Sequence, residues 1–552
     1  MLSGAGGRVA GARHARWGGV ALSALACASV AFGQGAAVPA APSGPPAPAM
    51  SRPAASPVFA IKDFTVTGEN PLGDGETSRV LAPFVRADAT METLQKATAA
   101  LEAALKDRGY GLHRVALPPQ EVGDTVTLNI VRFTVARVNV EGRALYDEAN
   151  LRRSLPELRE GATPNFKTLA VQTAIANENP NKQVQVGLRE SDEPDKIQAT
   201  ITVREEKPWN IAASLSNGGS ESTGRDRFTL TGVHSNVLNL DHQFTGAYTT
   251  SLQRTGAVKQ LGLAYKAPLY VQGVVLGASY TRSDVVGTFG AFSSTGAGHT
   301  FGVTATKYMA PEGGRRSYIT LGLDDKVFNG TTVNGLVSGP DRRSRPISIG
   351  YTARTESDIS VWGYDIALAV NTGSGRGNDL AAYHDENDRV DTVHWKAVRA
   401  SLSHVAPFAG NWLLSARASY QYSPDVLISG EQFGLGGLGS VRGTDLDRPI
   451  TGDFGVQGTL EATTPELAPG LRLLGFVDAG WLGNHKAAAA QGKLSSDSLA
   501  SAGLGLRYGW RFLALSAEYG RIVSGSKVPL AVNPAAPKRG DDRFYVNLSV
   551  RF

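Results

Sequence analysis

From Trp209 to Phe552 the dominant pattern has a period of two. Short segments place apolar side chains at alternate positions, as in Phe228, Leu230 and Gly232, in Leu261, Leu263 and Tyr265, in Phe301, Val303 and Ala305, and in Leu504, Leu506 and Tyr508. Turn-rich stretches such as 311–315 (PEGGR) and 371–378 (NTGSGRGN) separate them. Past the first thirty-odd residues no run of eighteen apolar residues occurs, so the pattern excludes a membrane-spanning helix but not a spanning barrel. One apolar and one polar face would also suit a soluble sandwich. The last segment favours the membrane: Phe544, Val546, Leu548, Val550 and Phe552 form one face, and Tyr545, Asn547, Ser549 and Arg551 the other. In lipid such a sheet has to close, because an open edge leaves unpaired amides that each cost several kcal/mol. Residues 208–552 are therefore read as a transmembrane β-barrel. About sixteen antiparallel strands would allow roughly 21 residues per strand and connection, enough for spans of about ten residues.

The rest of the chain divides by composition. Arg8, Arg13 and Arg16 precede the apolar run Gly18 to Phe32, and residues 1–33 read as a signal peptide. Removing them takes away three arginines and no acid, so the formal charge falls from +5 to +2, a weak basis for binding nucleic acid. Cys27, the one cysteine, lies in that segment, so the mature chain is expected to have no thiol. Residues 34–57 form a Pro/Ala-rich linker, biased towards polyproline II and too rich in proline for a plugging helix.

Residues 58–207 read as two copies of one α+β unit. In the first, a strand from Phe59 to Gly68 precedes helices at Glu76–Val85 and Met91–Asp107 and strands at Leu112–Leu117 and Thr125–Arg132. Leu94, Ala97, Leu101 and Leu105 make one stripe of the longer helix. The second repeats the order: strand Ala136–Val140, helices near Tyr146–Leu155 and Phe166–Asn177, strands Val184–Glu190 and Lys196–Val203. The stretches RGYGLHRVALPPQEVGDTVTLNIV and NENPNKQVQVGLRESDEPDKIQATITVRE resemble the two POTRA modules of two-partner secretion transporters, the TpsB proteins of the ShlB/FhaC/HecB family. The resemblance makes residues 58–133 POTRA 1 and residues 134–207 POTRA 2, both periplasmic.

A later stretch, GGLGSVRGTD from Gly436 to Asp445, is similar to that family's long sixth outer loop, which folds back into the barrel on a Val-Arg-Gly tip. Gly475 to Gly480 (GFVDAG) resembles the partner strand motif Phe-x-Asp-x-Gly, here Phe476, Asp478 and Gly480. The resemblance implies a latch of Val441, Arg442 and Gly443 with Asp478, in which a guanidinium fork holds a carboxylate in a partly desolvated site. Thr444 stands where the family has an aromatic, which predicts less stacking at the tip and leaves the loop's depth open. Phe544 and Phe552 resemble the terminal signal read by barrel-assembly machinery.

Other motifs are weak. Gly434 to Gly439 matches GxGxxG, but no strand-to-helix unit surrounds it. His234 and His242 are split by a turn expected at Asn236–Asp241, so no metal site is expected. No catalytic residues and no cofactor are expected. Trp362, Trp395, Trp412 and Trp481 read as girdle or lumen packing. The resemblance implies an outer-membrane pore, without nucleotide hydrolysis, that recognises an unfolded TpsA-type exoprotein (hemolysin or adhesin-like) in the periplasm and secretes or activates it. Its other partners would be outer-membrane lipid and the barrel-assembly machinery, with no nucleic acid. The edge strand Leu112 to Leu117 is a candidate to receive cargo by β-augmentation. Any plug is expected to be the folded-in loop. Two alternatives stay open: a BamA-type assembly factor and a passive porin.

Overall fold

A computed structural model of the chain describes residues 58–552, apart from positions 122, 334, 335 and 339. The signal peptide at 1–33, Cys27 within it and the linker at 34–57 lie outside the described residues. The first α+β unit contains β1 (Asp63–Gly68), α1 (Asp74–Leu81), α2 (Met91–Asp107), β2 (His113–Ala116) and β3 (Thr125–Arg132). Its sheet runs β1-β3-β2, with β1 parallel and β2 antiparallel to β3. Leu94, Ala97, Leu101 and Leu105 bury the helical stripe on Val126, Leu128 and Ile130, the inward residues of the central strand. The second unit contains β4 (Thr134–Glu141), α3 (Glu148–Ser154), α4 (Phe166–Ala176), β5 (Lys182–Glu190) and β6 (Lys196–Glu205), in the order β4-β6-β5. Its core joins Leu151, Leu155 and Ile175 to Ile197, Ala199 and Ile201. A short joint fixes the two units: the Phe166 amide donates to the Gly109 carbonyl at 2.8 Å and Asn165 Nδ2 donates to the Arg108 carbonyl at 3.0 Å.

The remainder is a closed antiparallel barrel. Its wall begins with β7 (Trp209–Ser216), β8 (Arg227–Val237), β9 (His242–Thr250), β10 (Lys259–Leu269) and β11 (Val274–Ser283). A hairpin of β12 (Gly287–Phe289) and β13 (Phe292–Ser294) precedes β14 (Gly298–Tyr308) and β15 (Arg315–Phe328). After a hairpin of β16 (Thr331–Val333) and β17 (Leu336–Ser338), the wall resumes with β18 (Arg342–Ser344), β19 (Pro346–Glu356) and β20 (Val361–Asn371). Beyond the short helix α5 (Leu380–His384) come β21 (Lys396–Phe408) and β22 (Trp412–Tyr422). A long loop holding β23 (Phe433–Leu435) and β24 (Ile450–Gly452) leads to β25 (Phe454–Thr463), β26 (Leu471–Gly483), β27 (Ser496–Trp510), β28 (Leu513–Ser524) and β29 (Asp542–Arg551). Segments β18 and β19 both pair with β15 in one register, interrupted at Arg345, and so act as one strand. The ring therefore has sixteen strands and closes where β29 meets β7.

Alternation decides which face meets lipid. Leu276, Ala305, Leu321, Ile349 and Leu368 lie side by side across β11, β14, β15, β19 and β20. The four large members of that row are all exposed. Their sequence neighbours, such as Gly277, Thr320 and Ser348, face the lumen. Phe544, Leu548 and Phe552 stand on the outer face of β29, while Tyr545 is buried inside. Trp362, Trp412 and Trp481 also point outward, but Trp395 does neither job expected of it. It is fully buried in an apolar cluster with Tyr383, Val390, Leu427 and Ile428, formed by the loops at one end of the barrel. The turn expected at Asn236–Asp241 is shorter, because β8 continues to Val237.

The second unit is docked on the barrel's periplasmic turns through a buried polar network. Lys182, whose side chain is wholly buried, donates to Asp241 Oδ2 at 2.6 Å and to Asn150 Oδ1 at 3.0 Å, and its ammonium lies 5.2 Å from the centre of the Tyr146 ring. The Tyr270 hydroxyl donates to the same Asp241 oxygen at 2.8 Å, and Asn179 Nδ2 donates to the Ser235 carbonyl at 2.9 Å. Burial lowers the Lys182 pKa against the opposing pull of Asp241, so this joint depends on its carboxylate partner.

The lipid-facing row gives a direct test. Leu321→Arg should destabilise the folded barrel by about 2–4 kcal/mol, whereas Thr320→Arg on the lumen face should cost far less. Urea unfolding in liposomes, followed by the loss of the heat-modifiable band, compares the two.

Candidate functional site

The loop between β22 and β25 turns back into the barrel instead of covering it. Its two short strands pair with each other (Phe433 with Gly452, Leu435 with Ile450), and Leu435, Val441 and Ile450 pack on Leu482, Leu499 and Ile522 of the inner wall. At the innermost turn Gly443 has φ of +105°. A Cβ there would lie 3.0 Å from the Gly520 carbonyl oxygen of β28, so a glycine is needed both for the backbone angle and for the close approach.

That turn places Arg442 among carboxylates from three wall strands. Nε and Nη2 donate to Asp478 of β26 at 2.9 and 2.8 Å, a bidentate clamp, and the Arg442 backbone amide donates to the same carboxylate at 3.1 Å. Nη1 donates to Glu518 of β28 at 2.8 Å and to Glu461 of β25 at 3.3 Å. The guanidinium carbon sits 3.3 Å from the centre of the Phe476 ring, a cation–π contact in a desolvated setting. Arg442 and Asp478 have side chains 3% and 0% exposed, which makes geometry the main contribution of the cluster: a buried pair adds little net stability, but removing one partner is costly. Arg507 balances Glu461 from below at 2.7 Å.

The candidate residues thus come together: Val441, Arg442 and Gly443 on the loop, Phe476 and Asp478 on the strand, and Gly480 against Leu435. Phe544 and Phe552 lie apart on the lipid face. Thr444 settles the question of depth differently from an aromatic. It is buried, its hydroxyl accepts from the Gly437 amide at 2.7 Å and donates to the Leu446 carbonyl at 2.9 Å, and its own carbonyl accepts from the Tyr545 hydroxyl at 2.9 Å. Tyr545 also accepts from the Gly443 amide at 3.1 Å, so the aromatic ring at the tip is supplied by β29.

Sequence reasoning missed a second anchor at the start of the loop. Glu431, fully enclosed, accepts from Lys326 of β15 at 3.0 Å, Arg399 of β21 at 2.9 Å and the Ser344 hydroxyl at 2.6 Å. Burial alone would raise its carboxyl, but the two cations and the hydroxyl pull it down to about 2. Glu518 was missed as well. Both lie far along the chain from their partners, and only the place of Glu431 just ahead of the glycine-rich run offered a local signal. The GxGxxG run from Gly434 to Gly439 begins in β23 and leads into the loop's turns, with no helix after it. Among the described residues no group of three or more His, Cys, Asp or Glu side chains is arranged to hold a metal.

Residues 196–508 match the family model described as haemolysin secretion/activation protein ShlB/FhaC/HecB, and residues 59–132 match the ShlB-type POTRA domain. The chain is 25% identical to the outer membrane transporter CdiB of Escherichia coli, over 79% of this chain and 75% of that protein. In structure it is similar to CdiB from Escherichia coli, with a TM-score of 0.70 at 21% identity, covering 92% of this chain and 93% of the other. It is also similar to CdiB from Acinetobacter baumannii, with a TM-score of 0.66 at 16% identity, covering 90% of each.

Removing Arg442 would leave three facing carboxylates, so Arg442→Ala should cost about 3–5 kcal/mol. Asp478→Asn should cost less, because Glu461 and Glu518 still hold the guanidinium. Protease cleavage of the 436–449 loop in intact outer membranes should follow that order in barrels that remain heat-modifiable. The Glu431 anchor carries a pH signature. Its folded pKa lies below the ordinary carboxylate value of 4.5, so its contribution is complete above pH 4.5 and is lost as pH falls towards 2. A fluorophore on Leu438→Cys should report loosening in that window, and Glu431→Gln should abolish the transition.

Proposed function

The chain belongs to the ShlB/FhaC/HecB haemolysin secretion/activation family, and on that premise we propose how this two-partner outer-membrane transporter handles its secreted partner. The match to a secretion/activation model, with relatives that are outer membrane transporters, selects this reading over an assembly factor or a passive porin. The cargo is an unfolded exoprotein of the TpsA class, hemolysin or adhesin-like, taken up by the two periplasmic POTRA modules at residues 58–133 and 134–207. Two edge strands suit β-augmentation: β2, four residues long, and β5, nine residues long and paired only with β6. The longer β5 offers more unpaired backbone along one edge.

The observation that carries the proposal is the inward loop clasped at both ends, by Glu431 and by Arg442, inside a ring to which a periplasmic module is docked. In this role the Arg442–Asp478 clamp is a latch that holds the loop against the β26 to β28 wall, and Val441, Gly443, Phe476 and Gly480 shape its seat. The transporter carries out no chemistry. The driving force is folding of the exoprotein outside, without nucleotide hydrolysis. Phe544 and Phe552 serve assembly of the barrel by the outer-membrane machinery, not transport.

Deleting residues 58–207 should abolish secretion of a co-expressed TpsA-type exoprotein while leaving a heat-modifiable barrel in the outer membrane. Undiminished secretion by that truncated protein would remove the modules from recognition.

A further inference from the structure

The latched loop is not alone in the lumen. The β12–β13 hairpin, between wall strands β11 and β14, also folds inward. Phe289 and Phe292 are buried against Ala247 and Ala264, and their rings stack with centroids 5.9 Å apart. The seat is an inner-wall position, since Gly262 lies between Leu261 and Leu263 and its lumen side is covered by the Phe292 ring. A Cβ on Gly262 would come within 2.3 Å of that ring. At the hairpin tip Gly290, with φ of +56°, lies against Thr231 and Ala247, and its ideal Cβ would be 2.9 Å from the Ala247 Cβ. Thr231, Ala247, Gly262 and Thr281 are cross-strand neighbours on β8 to β11, so the tip reaches the middle of the wall.

The two inward elements are held in different ways. The latched loop has ion clusters at both anchors. Among the described residues no side-chain hydrogen bond joins positions 287–294 to the wall, and the hairpin's contacts there are apolar. Its base meets the other element, where Arg448 donates to the Thr295 carbonyl at 3.0 Å and Gly287 lies against the Asp447 carboxylate. The wall beneath is also distinctive. Between Arg227 towards one end and Lys266 towards the other, the inward rungs of β8 to β10 carry no charge: Thr229 with Thr249 and Gln260, Thr231 with Ala247 and Gly262, Val233 with Thr245 and Ala264. A cavity of about 310 Å³ separates the hairpin from the latched loop and β29.

We propose that this neutral strip of β8 to β11 is the surface along which an extended, uncharged polypeptide segment passes, and that the β12–β13 hairpin is its resident stand-in, displaced outward during transport while the latched loop stays. The inference rests on the transporter reading and extends it by assigning the path and the gate. A hairpin occupying the strip shows that two antiparallel strands with aromatic side chains fit there. Its apolar, unbonded seat lets it leave without exposing an ion cluster.

The test locks the hairpin in place in the full-length protein. In Gly290→Cys/Ala247→Cys a shift of under an ångström brings the two Cβ atoms to the roughly 3.8 Å of a disulfide. Under oxidation the pair should crosslink and secretion of a co-expressed TpsA-type exoprotein should fall at least tenfold relative to the same variant reduced with dithiothreitol, a redox-dependent fall that neither single variant shows. Deleting residues 287–294 should raise single-channel conductance in planar bilayers several-fold. Unimpaired secretion by the crosslinked protein would overturn the gate, and failure to crosslink or an unchanged conductance would overturn the seat. Absence of secretion by the wild type would instead count against the transporter reading, and the conductance arm does not depend on it.

Discussion

The hydrogen-bond ring in the membrane constrains everything else in this molecule. Fifteen of its junctions are runs of paired backbone between successive wall strands, but the closing junction of β29 with β7 pairs only Asn547 to Arg551 with Ser216 to Ala212. Beyond Asn547 one more backbone bond, from the Asn217 amide to the Val546 carbonyl at 3.2 Å, is joined by a side chain. Asn217 donates through Nδ2 to the Phe544 carbonyl at 2.7 Å and accepts from the Val546 amide at 2.8 Å, so amides that would otherwise face hydrocarbon are satisfied. Arg543 completes the junction by donating to the Asn217 carbonyl at 2.8 Å. The inner residues of β29 then face the lumen with their remaining hydrogen-bonding groups, and Tyr545 spends its own on the tip of the latched loop. Closure of the ring and placement of the loop share one strand.

The same economy appears at the periplasmic end. A single ammonium, Lys182, ties Asn150 of the second module to Asp241 of a barrel turn, and Tyr270 from the next turn shares the carboxylate. A buried cation of this kind holds one geometry and tolerates few others, because each alternative leaves a charge without a partner. The module is therefore held at the pore mouth, with β5 on the open edge of its sheet.

Much of this was legible in the sequence because its signals are local. Alternation at Phe544 to Phe552 shows in five residues on one face, and the stripe Leu94, Ala97, Leu101 and Leu105 in about three turns of helix. The strand at Thr125–Arg132 has the same bounds in the sequence reading and in the structure. Motif resemblance put Arg442 and Asp478 on one short roll of candidates. It could not show that the guanidinium meets Glu461 and Glu518 as well, because strand register decides which lumen-facing acids lie level with the loop tip. Glu431 was hidden for the same reason, since its cations come from β15 and β21. The hairpin at 287–294 was not among the segments that the sequence singled out. Its two phenylalanines, Phe289 and Phe292, stand three residues apart and carry no alternation, and only the small inward residues Ala247, Gly262 and Ala264 on neighbouring strands make room for them.

The neutral rungs of β8 to β10 have a consequence for selectivity. Fixed charges lining a narrow channel favour one sign of passing charge and make passage depend on ionic strength, because their fields extend about 8–10 Å in physiological salt. A strip of threonine, glutamine, alanine and glycine exerts no such preference. The charges that line the same cavity, Arg227, Asp445, Asp447, Glu518 and Arg543, all stand off these rungs, so an uncharged segment lying on the strip meets no fixed charge from the wall directly beneath it.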